Sequence, residues 1–265
     1  MTNPIRIGLI VPSSNTTMET EIAEMLRGRE EIRPERFTFH SSRARLHTVT
    51  KEELERMVDD SDRCALELSD ARVEAIAYAC LVALMSQPAG FHREAEERLC
   101  RLTVENGAPA PVVSSAGALV EAVHALGATR IALVAPYTKP ITELVVDYLT
   151  KSGLDVVDFV SLEVANNLEV GRIDPMKLVD IAAGLDVSRA EVVILSACVQ
   201  MQSLPAIELA ERRLERPVIS AGTATVFRLL QELQLEPVVP RAGRLLSGGP
   251  FSPRPAKSEP VEAAA

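Results

Sequence analysis

Two of the chain's four cysteines, Cys80 and Cys198, stand at matching places in two copies of one pattern. The first copy opens with Ile7-Gly-Leu-Ile-Val-Pro12 and later reaches Ala75-Ile-Ala-Tyr-Ala-Cys80. The second opens with Ile131-Ala-Leu-Val-Ala-Pro136 and later reaches Val192-Val-Ile-Leu-Ser-Ala-Cys198. From residue 7 to 131 the offset is 124, and from 80 to 198 it is 118, so a duplication with a net deletion of six residues relates the copies. A lone cysteine is ordinarily a small buried hydrophobe. A symmetric pair at the ends of two apolar runs suits a nucleophile and an acid or base working across a cleft. Backbone N–H groups around a strand-end thiol would be expected to lower its pKa. Cys64 and Cys100 fall in helical stretches and are assigned to packing.

Polar residues follow other strand ends. Asn15 closes Pro12-Ser-Ser-Asn, and Tyr137 lies in Pro136-Tyr-Thr-Lys of the second copy. An amide and a phenol there suit donation to a carboxylate, although Asn15 also fits a turn and Tyr137 a rim aromatic. Asn166 and Asn167 sit at a further strand-to-helix junction and read equally as a turn or as ligand donors.

Alternating strands and helices must position these groups. Apolar runs at 5–11, 75–79, 130–135 and 192–196 read as buried parallel strands, with further strands at 36–42, 111–114, 156–161 and 217–220. Helices are expected over 18–27, 51–70, 91–105, 115–126, 141–152, 175–184, 204–214 and 222–233. Thr50-Lys-Glu-Glu53 forms a capping box, Pro175 opens a helix, and Gly127 and Gly153 close two. The expectation is an α/β chain of two similar lobes, each a parallel sheet flanked by helices, with the active site between them where strands present their carboxyl ends. The lobes are placed at 1–117 and 118–221. A final helix over 222–240 packs back on the first lobe, and residues 241–265 form a tail without regular structure.

A net charge of −9 disfavours nucleic acid as a partner. No apolar run reaches the roughly 20 residues that span a bilayer. The first residues lack a basic stretch followed by an apolar one, so a cytoplasmic location is expected. No Cys-x-x-Cys occurs and His40, His47, His92 and His124 are scattered, which gives no metal site. There is no glycine-rich phosphate loop and no histidine beside a nucleophile segment.

Tyr78-Ala-Cys80-Leu-Val-Ala, Leu195-Ser-Ala-Cys198-Val-Gln-Met, Val11-Pro-Ser-Ser-Asn15-Thr-Thr and Ala135-Pro-Tyr137 together resemble the maleate cis-trans isomerases of the aspartate/glutamate racemase superfamily. The resemblance covers residues 5–240. It implies two α/β lobes, a cysteine from each, no metal or organic cofactor, a small dicarboxylate substrate (maleate and fumarate), and a homodimer. It further implies that Cys80 adds to the double bond and that Cys198 gives and recovers a proton. Asn15, Tyr137 and Asn167 would hold the carboxylates, with Asn166 competing for the last role, and the backbone at Leu81, Val82 and Val199 would stabilise developing charge. Racemases of this group typically have Asn-Thr after the first cysteine, where this chain has Leu81-Val82. Arylmalonate decarboxylases keep only the second-lobe cysteine. A two-cysteine amino-acid or hydantoin racemase is the alternative reading.

Overall fold

Uninterrupted apolar runs form the centres of two parallel sheets, because a strand covered by helices on both faces has no polar side to show. The computed structural model describes residues 3–248. In chain order the first lobe contains β1 (Ile5–Pro12), α1 (Met18–Glu30), β2 (Phe37–Ala44), α2 (Lys51–Asp70), β3 (Ala75–Tyr78), α3 (Leu81–Met85), α4 (Phe91–Glu105), β4 (Val112–Ser114) and α5 (Ser115–Ala125). The second contains β5 (Arg130–Ala135), α6 (Lys139–Lys151), β6 (Asp155–Ser161), α7 (Asn167–Val170), α8 (Pro175–Ala183), β7 (Val192–Ser196), α9 (Ile207–Leu214) and β8 (Val218–Ser220), and is followed by α10 (Ala221–Glu232).

The sheets run β2-β1-β3-β4 and β6-β5-β7-β8, the same order in each copy. All strand pairs are parallel. The duplication read from cysteine spacing is therefore a duplication of topology. In both sheets the two inner strands carry the landmarks: β1 leads to Asn15 and β3 to Cys80, while β5 leads to Tyr137 and β7 to Cys198.

Several local features depart from the sequence expectations: α3 and α7 have no counterpart there, and α10 ends at Glu232 although the final helix is expected to reach residue 240. The position 117/118 falls inside α5, which packs on α3, α4 and β4 of the first lobe, so the chain passes to the second sheet only after Gly127. Residues 241–248, expected to lack regular structure, carry a 3-10 turn at Arg244–Leu246. Leu245 and Leu246 are buried there, and Val238 bridges to Ser247. Two leucines find a core even though the segment has no periodicity, and residues 249–265 lie outside the described residues. In the Thr50 cap, the Thr50 side chain accepts from the Glu53 N–H, but the Glu53 carboxylate reaches past it to the His47 and Thr48 N–H groups at 2.6 and 2.8 Å. Helix α10 packs on α5, α1, β3 and β4 as well as on β8, and so fastens the two sheets together.

Candidate active site

Cys80 follows β3 and precedes the five-residue α3, with φ +86° and ψ +68°. A non-glycine residue in the left-handed region is uncommon and often marks a functional constraint. Cys80 and Cys198 are each about nine-tenths or more buried, at 5 % and 6 % exposed. Each thiol raises the cost of ionising its surroundings. A negative charge on Cys198 raises the Cys80 pKa, and both sulfurs raise that of Tyr137, so the three groups share one electrostatic neighbourhood.

Burial dominates both thiols. It pushes Cys80 up to about 12 against the single lowering contact of the Ala83 N–H. Cys198 is also pushed up, but three groups oppose the shift: the Tyr137 hydroxyl and the N–H groups of Gln200 and Met201. The Gln200 N–H lies 3.4 Å from Cys198 Sγ. The expected depressed thiol pKa is therefore corrected. The backbone donors are present, but they do not outweigh the removal of both sulfurs from water. Cys198 is the better home for a negative charge of the two.

Tyr137, 3 % exposed, donates its hydroxyl to the Ala197 carbonyl at 3.2 Å and lies within reach of the Cys198 sulfur. Burial keeps its phenol protonated, with its pKa well above the usual value. The Ser196 hydroxyl donates to the Cys198 carbonyl at 2.7 Å, which pins the turn that carries the thiol.

Asn15 is fully buried. Its Oδ1 accepts from the Thr17 and Met18 N–H groups, both at 3.0 Å, and so caps the start of α1. Its Nδ2 has no hydrogen-bond partner among the described residues. A buried amide donor left unpaired is rare, and here it is half of a side chain whose other half serves the turn. Asn167 is buried with Nδ2 donating to Ser14 Oγ at 2.8 Å, whereas Asn166 is exposed and its Oδ1 caps the Leu168 N–H at 2.9 Å. Leu81, Val82 and Val199 are buried beside the two thiols along the chain.

Sequence reasoning missed Gln200, which is buried where the lobes meet and bonded to Thr16, Thr17, Ser14 and Asn167. It also missed Glu21. That buried carboxylate of α1 accepts from the Ser203 and Leu204 N–H groups at 2.6 and 2.7 Å and ties the first lobe to the segment after Cys198. The only sequence signal for Gln200 was its place two residues after a strand-end cysteine. Among the described residues no group of three or more His, Cys, Asp or Glu side chains is arranged to hold a metal ion.

The fold and site define a two-lobed α/β protein with a buried cysteine pair at the carboxyl ends of equivalent strands. A model of the arylmalonate decarboxylase family matches residues 7–246. A maleate isomerase of Geobacillus stearothermophilus is 59 % identical over 249 residues, 94 % of this chain and 99 % of that protein. The crystal structure of a cysteine-to-alanine variant of the maleate isomerase Iso from Pseudomonas putida S16, with maleate, superposes with a TM-score of 0.92 at 54 % identity, covering 93 % of this chain and 98 % of that one. A cysteine-to-serine mutant of the Nocardia farcinica maleate cis-trans isomerase, with a covalently bound succinylcysteine intermediate, superposes with a TM-score of 0.89 at 46 % identity, covering 92 % and 98 %. The chain belongs to the arylmalonate decarboxylase family and, within it, to the maleate isomerases.

Proposed function

We propose that the protein converts maleate to fumarate without a cofactor, by reversible addition of a cysteine thiolate to the double bond. The observation that carries this reading is the pair of buried thiols at equivalent strand ends, together with the buried Asn15 amide donor that has no partner among the described residues. The succinylcysteine intermediate of the Nocardia farcinica enzyme supports the covalent route.

Rotation about the alkene is blocked while its π bond is intact. The reactive form holds one proton between the two thiols. In that form the proton sits on Cys80 and the charge on Cys198: burial raises both thiols, but Tyr137 and two N–H groups oppose it at Cys198. Cys80 passes its proton to Cys198 and attacks one alkene carbon with the electron pair that the proton leaves on its sulfur. A thiolate of high pKa is the stronger nucleophile, which suits Cys80. The π electrons move to the neighbouring carbon and its carboxylate, and that carbon takes the proton from Cys198. The result is a succinyl group on Cys80 and a thiolate on Cys198. Rotation about the new single bond brings the far carboxylate to the trans position. Cys198 then removes the same proton, the carbon–sulfur bond breaks, and fumarate leaves.

In this reading Asn15 and Asn167 hold the carboxylates with Tyr137. The N–H groups of Leu81, Val82 and Val199 face the developing enediolate, where one donor is commonly worth about 3 kcal/mol. The proposal includes a homodimeric state, which light scattering tests, and a cytoplasmic location, which cell fractionation tests. Proton NMR of maleate incubated with metal-free protein tests the reaction. Conversion of the alkene signal to that of fumarate is expected, and persistence of maleate would overturn the proposal.

A further inference from the structure

We infer that Gln200 is a positioning residue: its carboxamide fixes the substrate-holding loops of the two lobes against each other and against the Cys198 turn. The inference rests on the isomerase reading above.

Gln200 is 2 % exposed. Its Oε1 accepts from the Thr16 N–H at 2.9 Å and the Thr17 N–H at 3.3 Å. Its Nε2 donates to the Ser14 carbonyl at 3.2 Å and to the Asn167 carbonyl at 3.0 Å. A primary amide offers two acceptor sites and two N–H groups, and all four are used. The two donors on one side and the two carbonyls on the other admit a single orientation of the amide.

These partners are not incidental to the site. Ser14, Thr16 and Thr17 flank Asn15, whose Nδ2 is the unpartnered donor. Asn167 belongs to the other lobe and gives its own Nδ2 to Ser14 Oγ. The peptide N–H of Gln200 points at the Cys198 sulfur. One side chain thus sets the distance between the groups that grip the substrate and the thiol that handles its proton. The neighbouring fold makes room for it: a Cβ on Gly171 would lie 2.7 Å from Gln200 Nε2. Arg43 is the charged side chain bonded to the same loop, donating to the Ser13 and Asn15 carbonyls at 3.2 and 2.9 Å, and Cys198 is the titratable group at the Gln200 backbone.

Gln200→Glu separates positioning from space-filling, because it keeps the shape and the Oε1 acceptor. Its second oxygen faces two carbonyls where Nε2 donated. Ionised, it repels them; protonated, it donates one O–H. The expected result is a fall in kcat for maleate of about 100-fold at pH 8, the scale of a misplacement of roughly 1 Å, with a cooperative thermal unfolding transition retained. The ratio of variant to wild-type kcat should then rise about tenfold as pH falls toward 5.5 and the new carboxyl protonates. Gln200→Ala should be slow at every pH. Variant kcat values close to wild type, or a Gln200→Glu ratio flat with pH, would overturn the positioning role. Wild-type turnover in the same assay separates the two claims. No fumarate from the wild type overturns the isomerase reading, whereas equal turnover by wild type and both variants overturns the role of Gln200 alone.

Discussion

Alkylation of Cys80 by iodoacetamide in the ligand-free protein should climb with pH well past the point at which an ordinary cysteine levels off. Only the thiolate reacts. With burial holding Cys80 up to about 12, its ionised fraction at pH 8 is about 10⁻⁴, against roughly a quarter for a free thiol of pKa about 8.5. That is a deficit of about three and a half decades. The greater nucleophilicity of a high-pKa thiolate returns about one and a half of them, which leaves a reaction roughly 100-fold slower than that of a free cysteine, before any barrier from access. The rate should rise about tenfold per pH unit between 7 and 10. Peptide mass spectrometry after timed quenching follows Cys80 separately from the partly exposed Cys100. Replacing Cys198 by Ala should displace the profile to lower pH, because charge on Cys198 is one cause of the Cys80 shift. A plateau below pH 8 would refute the reasoning: the Cys80 thiolate would then be stabilised by donors that outweigh burial.

Three further outcomes follow from the same structure. Asn15→Asp keeps the oxygen that caps α1 but turns the unpartnered donor into a charged acceptor. Losing a charge-assisted hydrogen bond of about 1.5–3 kcal/mol and adding repulsion should lower kcat/KM for a dianionic substrate by about 100-fold or more, read from loss of the maleate absorbance. Gly171→Ala pushes a methyl group against the end of the Gln200 side chain. Because displacing that end breaks the buried hydrogen bonds of the Gln200 amide, kcat should fall and the thermal midpoint should drop with it. Glu21 is raised by burial above the ordinary carboxylate value, so the stability it contributes is full at low pH and is lost as pH rises through its folded pKa. Glu21→Gln retains an oxygen for the Ser203 and Leu204 N–H groups. It should lead wild type in calorimetric midpoint by a margin that grows from pH 4 to pH 7, about 1.4 kcal/mol per unit of upward shift.

The strands were legible because they are covered on both faces. Ile5–Pro12, Arg130–Ala135 and Val192–Ser196 are apolar runs of strand length, and their repetition marked two similar parallel lobes, while the strand order within each sheet had no sequence signal. Helix α3 was not legible, since Leu81–Met85 is buried all round and five residues carry no helical period. The positive φ of Cys80 had no signal in a residue other than glycine. The sign of the thiol shifts depends on how completely the second lobe covers the first, which no local pattern records. Gln200 and Glu21 act across the lobes on backbone groups, so their partners could not be paired from one strand-and-loop copy. Asn167 and Asn166 were indistinguishable by type and spacing, and they differ in the fold because the start of α7 turns one inward and leaves the other as its cap.

The division of labour between the thiols is the centre of the account, and peptide mapping of the Cys198→Ser variant after exposure to maleate tests it most directly. A succinyl group on Cys80 with little fumarate released is expected, because the serine hydroxyl can relay the Cys80 proton to carbon during slow addition but gives no thiolate to remove a proton from carbon again. Unmodified Cys80 in a variant that still turns over maleate, or the succinyl group on another cysteine, would contradict it.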